Sequence, residues 1–207
     1  MLTRKKDTNQ YPSLEIWQNI YIFAPKTNQL LSMELNELIK DCSKRQKKGL
    51  HFILASIFIW CLIMIVHLTD LSIELKNLIT FCCSAVLFPL AWMFSKWLKI
   101  DFEGKGNPLT KAGILFSVNQ LLYILIVMWA FSVVPESMVM IYAMVFGAHL
   151  MPFSWLYQSK SYLVLSIFIP IFALIIGLIY PPQVLAGLMT IIEVVFAICL
   201  FYECKKL

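Results

Sequence analysis

Six stretches of almost unbroken apolar residues, at 50–68, 78–98, 112–134, 138–156, 162–179 and 184–202, organise the chain. Each is close to the roughly 20 residues that an α-helix needs to cross the hydrocarbon core of a bilayer. No water is available there, so a single segment can satisfy its own backbone only as a helix. The pattern predicts six transmembrane helices. The connections, at 70–77, 99–111, 135–137, 157–161 and 180–183, are mostly too short to hold a domain, so neighbouring spans are expected to form antiparallel hairpins. The expected fold is all-α, a polytopic six-helix transmembrane bundle.

Ahead of the first span the pattern changes twice. Residues 1–32 show no clear period and are interrupted by Pro12 and Pro25, and they read as a polar, poorly ordered amino-terminal extension. Residues 33–47 read as a short amphipathic helix on the cytoplasmic membrane surface. Ser32 stands as its cap, with Glu34 and Glu37 in its first turn and Lys44 and Arg45 in its last, as the helix dipole favours. Leu35, Leu38, Ile39 and Cys42 share one face. Met33 is taken as the natural start, with residues 1–32 upstream of it. The first apolar run is long enough to span, so it does not read as a cleavable signal. The six-span domain is expected over 48–204.

Charge then orients the bundle. Of the 17 Lys and Arg residues, all but Lys76 fall on one side of the predicted spans. Such residues are retained in the cytoplasm, so both termini are expected to be cytoplasmic. Trp92, Trp97, Trp155, Tyr157, Tyr162 and Tyr202 fall near the same interface, where aromatic belts form. Composition agrees: 60% of residues are hydrophobic and only 14% charged, more apolar surface than a soluble domain of this size can hide. The net charge of +5 sits at the ends of spans and does not suggest nucleic acid. The six cysteines include the adjacent pair Cys82 and Cys83 and no CxxC spacing, so neither a metal nor a cofactor is expected.

Helices in lipid associate through small residues and a few hydrogen bonds. Gly113 with Ser117, and Ala143 with Gly147, make small-xxx-small pairs. Ser166, Pro170, Ala173 and Gly177 form one stripe of the fifth span, and Ala186, Thr190, Glu193 and Ala197 one stripe of the sixth. Pro89, Pro152 and Pro170 lie inside spans and are expected to bend them.

Four residues make the candidate intramembrane polar site: Asn119 and Tyr123 on one face of the third span, His149 in the fourth and Glu193 in the sixth. By helix rise, Asn119, His149 and Glu193 lie within about 7 Å of the midplane. A charged carboxylate there costs at least about 2.5 kcal/mol. Glu193 is therefore expected either to stay protonated and donate a hydrogen bond or to ionise beside His149 or in a wet cavity. In the first case it holds helices together, with Asn119, Tyr123, His149 or a backbone carbonyl as its partner. In the second it belongs to a proton-responsive or solute-binding site.

Enzyme chemistry finds no foothold. His149 is followed by Leu150-Met151-Pro152, not by the residues of an HExxH zinc site, and no paired intramembrane glutamates, G-x-S-x-G, GxGxxG or Walker motif occurs. The stretches Lys47-Lys48-Gly49-Leu50, Lys105-Gly106-Asn107-Pro108-Leu109, Asn119-Gln120-Leu121-Leu122-Tyr123 and Gly147-Ala148-His149 resemble those of a family of small bacterial inner-membrane proteins of uncharacterised function. The resemblance covers 33–203, implies a multi-pass membrane protein and brings no catalytic residues. The expectation is a non-enzymatic protein of the cell membrane that binds or passes a small solute or protons through an interior polar site. The alternative is a structural or accessory subunit without transport activity. The lipid bilayer is the expected partner, with a second copy or another membrane protein as further candidates.

Overall fold

The computed structural model describes residues 34–101 and 106–207, and every regular element among them is helical. The chain divides into two units, Met1–Glu37 and Leu38–Leu207. Of the first, residues 34–37 are described and are helical; the extension at 1–32, the Ser32 cap and Met33 lie outside the described residues. The helix that includes them, α1, runs over 34–45. Of its apolar face, Ile39 and Cys42 are buried, Leu38 is half-buried and Leu35 is exposed.

The second unit contains α2 (Leu50–His67), α3 (Ile73–Ala85), α4 (Leu87–Trp97), α5 (Leu109–Val133), α6 (Met138–His149), α7 (Met151–Leu156), α8 (Lys160–Ile179) and α9 (Pro182–Lys205). Together these make six helices long and apolar enough to cross a membrane: Lys47–His67, Ile73–Trp97, Leu109–Val133, Pro135–Leu156, Lys160–Ile179 and Pro182–Lys205. Large apolar side chains such as Leu115, Leu122 and Trp129 are exposed along them, as a bilayer-facing surface requires. The first span begins and the last ends on the same side, here called the basic end.

Local chemistry sets the helix boundaries. The second span starts at Ile73, five residues before the apolar run suggests. Ser72 caps it by accepting from the Leu75 N–H, and Glu74 sits in its first turn. The same span breaks between Ala85 and Leu87, and the fourth between His149 and Met151. Pro89 and Pro152 account for both breaks: each lacks an N–H and crowds the carbonyl four residues earlier, at Ala85 and Ala148. The fifth span instead runs on through Pro170. Asn107 accepts from the Leu109 N–H at 2.9 Å and so begins α5, while its amide donates to Leu38 O and Asp41 Oδ2.

α2 packs most extensively on α9 and also on α3 and α4, and α6 packs on α8 and α5. The small residues lie where these helices approach. A side chain at Gly147 would meet Ile169 and Pro170 of α8, and one at Gly177 would meet Met140 of α6. Trp60 of α2 is buried against Tyr142 and Phe146 of α6. The second and third spans touch away from the basic end through Phe81 and Phe131, and there the Asn77 amide donates to Pro135 O, at the start of the fourth span, at 2.9 Å. Towards the basic end a seam between α4 and α5 is bordered by Phe88 on one side and by Ile114, Val118 and Leu121 on the other. That seam leads to the candidate site.

Candidate functional site: an interior cavity and a buried acid

Glu193 sits on the stripe of α9 formed by Ala186, Thr190 and Ala197 and is fully buried against α2. Its Oε2 lies 2.5 Å from Ser56 Oγ. Ser56 Oγ is also 2.8 Å from Ile53 O. A hydroxyl has one proton and cannot serve two acceptors fully. A neutral Glu193 resolves the conflict: its O–H donates to Ser56, and Ser56 donates to Ile53 O. Glu193 Oε1 has no hydrogen-bond partner among the described residues. A neutral carbonyl oxygen tolerates this far better than a carboxylate would.

Ser56 was absent from the sequence expectation, although it is the only hydroxyl side chain in α2. The residues expected beside Glu193 lie elsewhere. The His149 ring N–H at Nδ1 donates to the Phe146 carbonyl, and its ring lies between those of Phe146 and Phe153. Asn119 is half-buried and Tyr123 exposed, and no hydrogen bond joins either of them to Glu193. The face of α5 that looks inward carries Ser117, Gln120, Leu121 and Ile124. Gln120, one residue round the helix from Asn119, therefore takes the interior position.

These side chains line a cavity of about 380 Å³ bounded by α2 to α8. Its polar groups include Ser56, Ser84, Gln120, Tyr142 and His149, and among the described residues no Asp, Glu, Lys or Arg borders it. The rest is mainly aromatic and aliphatic, in the usual manner of a small-molecule pocket. Ser56 belongs both to this wall and to the Glu193 pair, so the buried acid stands one hydrogen bond from the cavity. A second cavity of about 530 Å³ continues along the seam and shares Phe52, Phe88, Ser117, Leu121, Phe153 and Tyr157 with the first.

A polar cluster closes the basic end. Lys47, Lys48 and Gly49 all adopt positive φ, turning the chain sharply into α2. This turn buries Lys48, whose Nζ lies 2.8 Å from Glu203 Oε2. Glu203 Oε1 accepts from the Ser161 N–H and hydroxyl at 3.1 and 2.7 Å. The Tyr162 hydroxyl donates to Lys48 O, the Tyr157 hydroxyl donates to Gln46 Oε1, and the Lys47 ammonium donates to Leu98 O at the end of α4. Gly49, Tyr157 and Tyr162 also border the first cavity, so the cluster is its floor. In sequence Lys47 and Lys48 read only as orienting charges. On α1, the Arg45 guanidinium and the Asn107 amide beside Asp41 hold its carboxyl below the usual range.

Among the described residues no group of three His, Cys, Asp or Glu could hold a metal ion. Residues 35–203 match the model of a family of unknown function (DUF7010). No curated protein and no solved structure matches the chain.

Proposed function

The chain belongs to that family of unknown function, and from this premise we propose a non-enzymatic, multi-pass protein of the cell membrane that binds a small solute in the inner cavity and links its occupancy to a proton on Glu193. One observation carries the reading: Ser56 lines the cavity and is hydrogen-bonded to the buried acid. A solute that takes up the Ser56 hydroxyl alters the one side-chain hydrogen bond that Glu193 makes among the described residues, and so alters the stability of its proton. His149 and Gln120 add hydrogen-bonding groups to the same lining. Flux in proteoliposomes across an imposed pH gradient tests the reading. It predicts a proton-linked flux that Glu193→Gln abolishes and His149→Ala reduces. Absence of flux, or flux unchanged in both variants, overturns it.

The full burial of Glu193 between α2 and α9 also favours a second reading. In it the Ser56–Glu193 pair only holds two helices together, and the protein is an accessory subunit. Reproducible co-purification of one membrane partner, without flux, would select this reading.

A further inference from the structure

From the cavity and its seam we infer that the solute is an uncharged amphiphile: a hydrogen-bonding head bound in the inner cavity and a single hydrocarbon tail lying between α4 and α5. This rests on reading the inner cavity as a solute site. The head is specified by the lining. Its side chains offer neutral hydrogen-bonding groups, among them Ser56, Ser84, Gln120, Tyr142 and His149, and among the described residues no charged side chain borders the cavity. A phosphate, carboxylate or ammonium placed there would be desolvated without a counter-charge, at a cost of several kcal/mol. A hydroxyl or carbonyl head would find partners in Ser56, Gln120 and Tyr142.

The tail is specified by the seam. Phe88, Leu121, Val118 and Ile114 border the second cavity and are all about half exposed, so the seam opens on the apolar surface of the bundle. Small-residue stripes normally let helices approach closely. On α5 the stripe Thr110, Gly113, Ser117 lines the second cavity, with Gly113 also close to Leu156 of α7. The lining of α5 from Thr110 to Ile124 rises about 21 Å, more than the roughly 15 Å depth of one leaflet's hydrocarbon. The contact of Phe81 with Phe131 closes the far end of the seam, so a tail enters from the leaflet at the basic end. Asp101 borders the second cavity at the basic end, outside the lining of the inner cavity that takes the head.

The test is photolabelling of the full chain in phosphatidylcholine vesicles with diazirine-bearing hexadecanol, with diazirine-bearing hexadecanoic acid as the charged counterpart. The expected result is saturable labelling by the alcohol of peptides containing Phe88 and Ser117–Ile124. Unlabelled hexadecanol should displace it, and lysophosphatidylcholine or hexadecanoate should not. Gln120→Leu should weaken displacement by about tenfold, the equivalent of one hydrogen bond. Ser117→Trp, which fills the shared middle of the two cavities, should abolish the labelling. Leu115→Trp, on the bilayer face, should leave it intact. Labelling that does not saturate, that falls only on outward residues such as Leu115, Leu122 and Trp129, or that the charged amphiphiles displace equally overturns the inference. Such a failure leaves the pH-gradient assay standing, and loss of proton linkage leaves saturable labelling standing, so the two readings fail separately.

Discussion

The Lys48 ammonium lies 2.8 Å from the Glu203 carboxylate and so ties the first turn of the first span to the last turn of the sixth. The Lys48 side chain is almost completely covered and that of Glu203 mostly so. Removing one partner strands the other. Glu203→Ala should destabilise the protein by on the order of 3 kcal/mol, since it leaves a buried ammonium unpaired. Lys48→Met combined with Glu203→Leu should recover most of that loss, because an apolar pair has no desolvation cost. Unfolding in mixed detergent by circular dichroism measures both. A double variant no better than the single one would show that the hydrogen bonds to Ser161 matter more than the ion pair.

The turn that aims Lys48 depends on Gly49, at φ +71°. A Cβ there would lie 2.9 Å from the Tyr162 hydroxyl. Gly49→Ala should therefore cost at least about 1–2 kcal/mol from the left-handed backbone alone, with crowding in addition. Tyr162→Phe relieves the crowding and loses the bond to Lys48 O. The two substitutions should thus be less than additive, which a double-mutant cycle on thermal unfolding would read directly.

Two glycines at helix–helix contacts should respond differently to the same change. Alanine in place of glycine inside a helix gains roughly 1 kcal/mol in backbone terms. At Gly147 the new Cβ would fall 2.6 Å from Pro170 Cδ and 2.7 Å from Ile169 Cγ2, groups on stiff side chains that cannot move aside. At Gly187 of α9 it would meet Met64 Sδ at 3.0 Å, the far end of a flexible side chain. Gly147→Ala should lower stability by about 2 kcal/mol net, and Gly187→Ala should stay within about 1 kcal/mol of the parent. Melting temperatures of the two variants in one detergent would decide it, and an equal loss would count against the rigid-neighbour argument.

The contrast shows what could be read from the chain and what could not. Six spans were legible because the bilayer enforces length and apolarity, and Pro89 and Pro152 marked two breaks because proline removes a specific hydrogen bond. Glu193 stood out as the acid at the centre of an apolar run. Its partner did not, because a single serine in α2 looks like any small packing residue until α9 is laid against it. The choice of Gln120 over Asn119 was equally hidden. α5 carries apolar residues on every face, so its pattern does not show which of the two adjacent amides turns inward. Lys48 was masked by its neighbours: a run of basic residues ahead of a span reads as an orientation signal, and only the positive-φ turn carries one of them inside.

The surface helix should carry an acid-sensitive contact. Arg45 donates to Asp41 at 2.8 Å and Asn107 donates to its other oxygen at 2.9 Å, which lowers the Asp41 pKa from its ordinary 3.8. A carboxyl with a depressed folded-state pKa stabilises the fold above its unfolded value and loses that contribution as pH falls through the folded value. The wild type should thus be more stable than Asp41→Asn at neutral pH, and the gap should close below about pH 3.8. The gap should be small, because Asp41 is partly exposed and solvent screens it. Thermal unfolding of both proteins from pH 7 to pH 3 tests the sign, and a gap that widens in acid would overturn it.

The neutral state of Glu193 makes the most direct demand on experiment. If Glu193 donates to Ser56 and Ser56 to Ile53 O, then Glu193→Gln preserves the donor: the glutamine N–H₂ can donate to Ser56 Oγ. Its stability should lie within about 1 kcal/mol of the wild type. Ser56→Ala should cost more, about 1–3 kcal/mol, because it leaves the acid with no partner in a fully buried site. For an ionised Glu193 the first expectation fails instead: neutralisation to glutamine would relieve a desolvated charge and raise stability clearly above the wild type. Infrared spectra supply the independent reading. A neutral Glu193 gives a carboxylic-acid carbonyl band at neutral pH that shifts on deuteration, is lost in Glu193→Gln and moves to higher frequency in Ser56→Ala as the hydrogen bond disappears. A spectrum without that band, together with a stabilising Glu193→Gln, would place a charge where the hydrogen-bond geometry calls for a proton.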